Sequence, residues 1–214
     1  MSGLFLERVS IRVGGKALFE DFDLEVPPGT ITTIMGPSGC GKSSLLSMIC
    51  GTLEPAFETS GRISLDGEEI GDLPPERRRA GILFQDDLLF PHLSVGENLL
   101  FAIPPSVRAK SDRENRMLAA LTEAGLDGFR DRDPASLSGG QRARVALMRT
   151  LLAAPRCLLL DEPFGKLDRD LRERFRRFVF DHAHEARLPT LLVTHEAADA
   201  DAASGPVVAI ESIG

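Results

Sequence analysis

The 214 residues carry 25 Lys and Arg against 32 Asp and Glu, a formal charge of −7, and include neither Trp nor Tyr. That length allows one compact domain with a sizeable core and leaves too little for two large ones. The acidic balance disfavours nonspecific binding to nucleic acid or an anionic lipid surface, with Arg77–Arg79 and Arg172–Arg177 as local basic runs. Its longest apolar stretches, such as Cys157–Leu160 and Thr190–Val193, are strand-sized, far below the roughly 20 residues that span hydrocarbon.

The opening segment MSGLFLERVSIRV lacks the basic start and long apolar run of a signal peptide and alternates like an edge or surface strand, so the chain is expected in the cytosol. Cys40, Cys50 and Cys157 form an odd set with no paired metal-ligand spacing and are expected as reduced thiols.

In chain order, Phe5–Val13 and Phe19–Val26 read as strands, then the turn at VPPG, then TITTIM running into a glycine-rich loop. Leu45, Leu46, Ile49 and Cys50 recur at a period near 3.6, which predicts a helix over Lys42–Cys50. Gly61–Asp66 and Ala80–Phe84 read as strands. A proline-punctuated stretch leads to a helix at about Asp112–Gly125, and this middle is expected as a small helical subdomain. After the Asp133–Pro134 break, Val145, Ala146, Met148, Leu151 and Leu152 predict a helix from Ser138 towards Pro155. Cys157–Leu160 then suits a strand buried on both faces. A helix near Arg169–His184, a strand at Thr190–Val193 and a last strand at Val207–Glu211 complete the pattern, after which no regulatory domain is expected. The repeated return from strand to helix favours an α/β fold.

Gly36-Pro37-Ser38-Gly39-Cys40-Gly41-Lys42-Ser43 fits GxxxxGK[ST], with Ser44 next, between the strand and the helix such a motif requires. Glycines let backbone N–H groups curl around phosphate oxygens, and side chains at Gly39 or Gly41 are expected to obstruct that wrap. The helix N-terminus adds positive potential, Lys42 reaches the β/γ-phosphates, and the Ser43 hydroxyl suits Mg²⁺. ATP with Mg²⁺ is therefore the expected ligand. Asp161 follows an apolar strand and suits indirect Mg²⁺ binding, and Glu162 is placed to polarise a water for attack on the γ-phosphoryl group.

Through Leu137-Ser138-Gly139-Gly140-Gln141 the chain resembles the nucleotide-binding subunits of ATP-binding cassette transporters. The resemblance implies a P-loop NTPase fold of that type over residues 1–214: a mixed β core, an N-terminal antiparallel β region and an inserted helical subdomain at about 88–134. It implies a head-to-tail homodimer in which Ser138, Gly139, Gly140 and Gln141 of one copy face ATP on the phosphate loop of the other. Ser138 also suits an N-cap, with the bare backbones beside it offering N–H groups to an anion. By the same resemblance Gln85 joins metal and attacking water to a transmembrane partner, Asp168 communicates across the dimer, and His195 contacts the γ-phosphate and orients water with Glu162.

The chain departs from the family pattern at Val13, which holds the place of an adenine-stacking aromatic, and at Gly165, where a serine is common. Glu196 adds a second carboxylate beside His195 and reads as a solvated helix-start acid. The stretch Asp86-Asp87-Leu88-Leu89-Phe90-Pro91 looks like that of an importer ATPase for a small solute, at the cytoplasmic face of the inner membrane. Inner-membrane permease subunits and an extracytoplasmic solute-binding protein would be its partners, and no specific nucleic acid. An exporter ATPase, or a soluble cassette ATPase in DNA repair or translation, remains the alternative.

Overall fold

Apolar alternation in the first strand changes phase midway, and that change organises the N-terminal sheet. In β1 (Leu4–Val13) the buried positions are Leu4 and Leu6, then Val9 and Ile11, a switch from even to odd numbers. A register shift between Leu6 and Val9 in the pairing with β2 (Lys16–Val26) supplies the extra residue. Such a bulge keeps both apolar pairs on the core face, because the side-chain period of a strand is two. The computed structural model describes residues 2–84 and 88–210.

Of the two readings its alternation allows, edge or surface strand, β1 is the second, an interior strand with one solvated face. It pairs antiparallel with β2 on one side and on the other with β4 (Phe57–Leu65), in the order β2-β1-β4-β5, where β5 is Glu68–Glu69. A solvated outer face gives an interior antiparallel strand the same alternation as an edge. Partnership also explains why β4 starts before the expected Gly61: Phe57 pairs with Val13.

The second sheet has the order β6-β7-β8-β3-β9, formed by β3 (Ile31–Met35), β6 (Ala80–Leu83), β7 (Cys157–Asp161), β8 (Thr190–Val193) and β9 (Val207–Ala209). β3 runs parallel to both β8 and β9, and β7 parallel to β8. Every residue of β7 and β8 is buried, as their unbroken apolar runs predict. Glu211, the expected end of the last strand, lies outside the described residues.

Helix α1 (Lys42–Cys50) has the predicted bounds and buries Leu45, Leu46, Ile49 and Cys50. Its C-terminus is held from α2 (Pro75–Arg78), a short helix the sequence reading passes over: Arg78 Nη1 donates to the carbonyls of Met48 and Ile49 at 2.7 and 3.1 Å. Arg78 is only 8% exposed, so of the Arg77–Arg79 run only Arg77 and Arg79 face solvent. A cation there completes orphan carbonyls and opposes the negative end of the helix dipole.

α3 (Val95–Ala102) is a further helix that periodicity does not predict, although Ser94 and Glu97 carry its start signal: each side chain accepts from the other's backbone N–H in a capping box. α4 (Lys110–Glu123) begins two residues before the expected Asp112. α5 (Gly139–Leu152) and α6 (Arg169–Glu185) lie where periodicity places them, and α7 (Ala197–Ala203) is a further short helix.

Two compact units result. One holds residues up to Ile82, Arg156–Glu162 and those from Arg176 onward; the other holds Leu83–Pro155 and Pro163–Phe175. The first thus carries both sheets and α1, the second α3, α4 and α5. Cys40, Cys50 and Cys157 are buried free thiols, and burial pushes the Cys157 thiol up to about 12. Among the described residues no helix is long and apolar enough to cross a membrane.

Candidate functional site

Strand register places the predicted site residues of the first unit abreast. Val193, the last residue of β8, pairs with Ile34 near the end of β3 and with Asp161 at the end of β7. Beyond those carboxyl ends follow the glycine-rich loop 36–41, Glu162, and the Thr194–His195 pair. This is the edge at which open α/β sheets bind ligands.

Gly41 stands at the N-cap of α1 with φ 95°, and a Cβ there would meet the Leu18 Cβ at 2.9 Å. Any side chain at Gly41 is thus excluded by both conformation and space. At Gly39 no protein atom lies within 4 Å of the corresponding position, so the expected obstruction reduces there to a positive φ of 81°. Lys42 is 8% exposed, and its Nζ donates to the carbonyls of Gly36 and Pro37 at 2.9 and 2.7 Å. The ammonium is therefore curled into the loop that the helix N-terminus makes attractive to anions. Pro37, Ser38 and Gly39 are exposed along this loop, and Cys40 is turned inward.

Asp161 is 6% exposed, and burial pushes its carboxyl above the usual range. A hydrogen bond from Ser43 and the charge of Lys42 oppose that shift, while the charge of Glu162 adds to it. A buried carboxylate beside a hydroxyl forms a hard oxygen donor set that fits Mg²⁺, which keeps several waters and takes few protein ligands. Among the described residues no group of three His, Cys, Asp or Glu side chains forms a metal cage, and this pair does not need one.

Glu162 continues from β7 with φ 47°, a left-handed conformation costing on the order of 1–3 kcal/mol for a residue with a side chain. Its N–H donates to the Val193 carbonyl at 2.9 Å, which helps hold the turn. Its Oε1 lies 3.0 Å from Nδ1 of His195. The Glu196 carboxylate is 4.0 Å from His195 Nε2 and follows the ring rather than pairing closely with it. A carboxylate backed by imidazole can accept a proton from water while the imidazole steadies the charge.

Behind His195 stands a polar network that sequence reading misses. Thr194 Oγ1 donates to Asp199 Oδ2 at 3.1 Å, and Arg176 Nη1 donates to Asp199 Oδ1 at 3.0 Å. Asp199 is 2% exposed, so Arg176 is engaged inside the fold and the Arg172–Arg177 run is not a uniform solvent face. No motif spacing announces a bond between residues 23 positions apart.

In the second unit Ser138 is the N-cap of α5, as expected, and forms a capping box with Gln141: Ser138 Oγ accepts from the Gln141 N–H at 3.3 Å, and Gln141 Oε1 from the Ser138 N–H at 2.9 Å. Gly139 and Gly140 open the helix on a partly exposed face. Asp168 accepts from the Leu171 N–H at 3.1 Å and so caps α6. Asn98, buried and unforeseen, holds the preceding loop with bonds to Phe90, Leu93 and Ser94. Val13 ends β1 half-buried, paired with Lys16 and Phe57. Gln85 lies outside the described residues.

Comparison with known proteins identifies the chain's family. The family described as "ABC transporter" matches residues 19–165. YnjD of Escherichia coli K12, an uncharacterized ABC transporter ATP-binding protein, is 47% identical over 94% of this chain and 92% of its own length. The Fe(3+) ions import ATP-binding protein FbpC of Mannheimia succiniciproducens is 38% identical over 96% of this chain, which spans only 58% of that protein. The dimeric structure of MJ0796, a bacterial ABC transporter cassette, superposes with a TM-score of 0.85 at 28% identity, covering 98% of this chain and 94% of that one.

Proposed function

Because the chain belongs to the ABC transporter family, as an ATP-binding and ATP-hydrolysing member, we propose that it energises an inner-membrane importer for a small solute. The observation that carries the hydrolytic part is the Glu162–His195 pair set beside the phosphate loop by strand register. The import direction rests on similarity to proteins such as FbpC.

In this reading the loop 36–41 wraps the phosphates of ATP with its N–H groups, together with Lys42, Ser43 and Ser44 at the start of α1. Lys42 exchanges its bonds to the Gly36 and Pro37 carbonyls for bonds to the β- and γ-phosphates. Ser43 and Asp161, with Gln85, would hold Mg²⁺, which when bound offsets phosphate charge during transfer. Glu162 takes a proton from the attacking water, and His195 orients that water and contacts the γ-phosphate. Val13 lies on the adenine side and offers no ring to stack; in a chain without Tyr or Trp, only a Phe from elsewhere could supply one.

A second copy completes the site. Ser138, Gly139, Gly140 and Gln141 of one copy face the ATP of the other head to tail, as suits backbone N–H groups at the start of a helix, and Asp168 communicates across that dimer. The dimer docks on permease subunits at the cytoplasmic face, which work with an extracytoplasmic solute-binding protein. Leu88 at 58% and Phe101 at 67% exposure, in the helical unit just beyond Gln85, supply apolar surface for such docking. Together the units form one ATPase domain with its inserted helical part near 88–134.

Gentle purification from membranes tests the proposal. Co-purification of a permease and a solute-binding protein is expected, whereas recovery with a ribosome or a DNA complex would overturn it. Hydrolysis by mixed dimers tests the pairing of sites: a Ser138→Ala defect confined to the phosphate loop of the same copy would contradict action across the dimer.

A further inference from the structure

We propose that the chain of hydrogen bonds from Arg176 through Asp199 to Thr194 positions His195, and that Asp199 is its central positioning residue. This rests on the hydrolytic reading of His195 given above.

The His195 side chain is 61% exposed, and its bond to Glu162 joins it to another partly exposed group. The segment that carries it runs over only three residues, Thr194–Glu196, between the end of β8 and the start of α7. An exposed imidazole on a short connection keeps its direction only if the backbone beneath it is stiff.

The buried network supplies that stiffness. Thr194 is 1% exposed, and its hydroxyl both accepts from the Glu196 N–H at 3.1 Å and donates to Asp199 at 3.1 Å. The residues on either side of His195 are thus tied through one oxygen atom. Asp199 closes the turn from the other end, its N–H donating to the Glu196 carbonyl at 3.1 Å. Its second carboxylate oxygen is anchored by Arg176, whose side chain is 15% exposed, on α6. A buried ion pair of this kind contributes little net stability against an apolar pair of equal volume, but it fixes geometry. Removing both partners should therefore preserve the fold while releasing the loop.

The test compares ATP hydrolysis by Thr194→Val, Thr194→Ser and the double substitution Arg176→Met with Asp199→Leu, each also combined with His195→Ala. Thr194→Val and the double substitution should lower kcat about 10- to 100-fold, the effect expected of a small misplacement of a reacting group, with KM for ATP changed less than about 2-fold. Thr194→Ser, which keeps the hydroxyl, should restore kcat. In the His195→Ala background the same substitutions should cause no further loss, because they act through that ring. Amide hydrogen exchange at Glu196 should also speed up about 10-fold in Thr194→Val. Unchanged kcat in both variants, or losses that persist fully without His195, would overturn the inference and leave the hydrolytic reading standing. Full activity of His195→Ala would overturn both.

Discussion

The Nδ1 atom of His195 stands 3.0 Å from Oε1 of Glu162, although 33 residues separate them. The two side chains emerge beyond adjacent parallel strands, β8 and β7, and Asp161↔Val193 register places them side by side. If Glu162 takes the proton of the attacking water, Glu162→Gln keeps the hydrogen-bonding shape and loses the base. ATP turnover should fall about 100-fold or more while ATP binding is retained and an ATP-bound dimer accumulates. Unchanged turnover, measured by phosphate release, would remove Glu162 from this role.

Lys42 is held ready by the carbonyls of Gly36 and Pro37. Lys42→Ala removes a charged donor to phosphate, an interaction of about 1.5–3 kcal/mol. ATP affinity should fall roughly 10- to 100-fold in a calorimetric titration, with little change in the melting temperature of the free protein.

Asp161 links pH to stability with a definite sign. Burial, the largest influence, raises its folded pKa above the ordinary aspartate value. The carboxyl therefore favours the fold in its protonated form: its contribution is fully present below the unfolded pKa and is lost as pH rises through the folded one. Asp161→Asn should make the nucleotide-free protein more stable at pH 7 and flatten this part of its pH dependence. The same substitution should weaken the Mg²⁺ requirement for ATP binding, read from titrations with and without the metal.

Thr33, in the middle of β3, is fully buried, and its hydroxyl finds no hydrogen-bond partner among the described residues. Val has nearly the same shape without the polar atom. Thr33→Val should stabilise the fold by about 1 kcal/mol, raising Tm by roughly 2–4 °C. A lowered Tm would show that the hydroxyl is satisfied in solution.

Local order was open to reading from the chain itself. The phosphate loop, α1 and the Ser138 cap depend on residues within a few positions of one another, so their spacing carries the chemistry. β7 and β8 were equally legible, because a strand buried on both faces has an unbroken apolar run. The capping box before α3 was present as Ser94 and Glu97, but proline punctuation hid it.

What the tertiary structure alone decided is pairing at a distance. The sequence by itself determined that the chain has a phosphate loop, an acidic strand end and a histidine after another strand. Which strand ends stand abreast depends on register between segments well separated along the chain, Asp161 with Val193 and Ile34 with Val193, and no local pattern encodes it. The same holds for the interior position of β1, whose alternation looks alike at an edge or between two partners. It holds most for Arg176 and Asp199: nothing in their spacing along the chain joins them, and only packing removes them from water and forces them together.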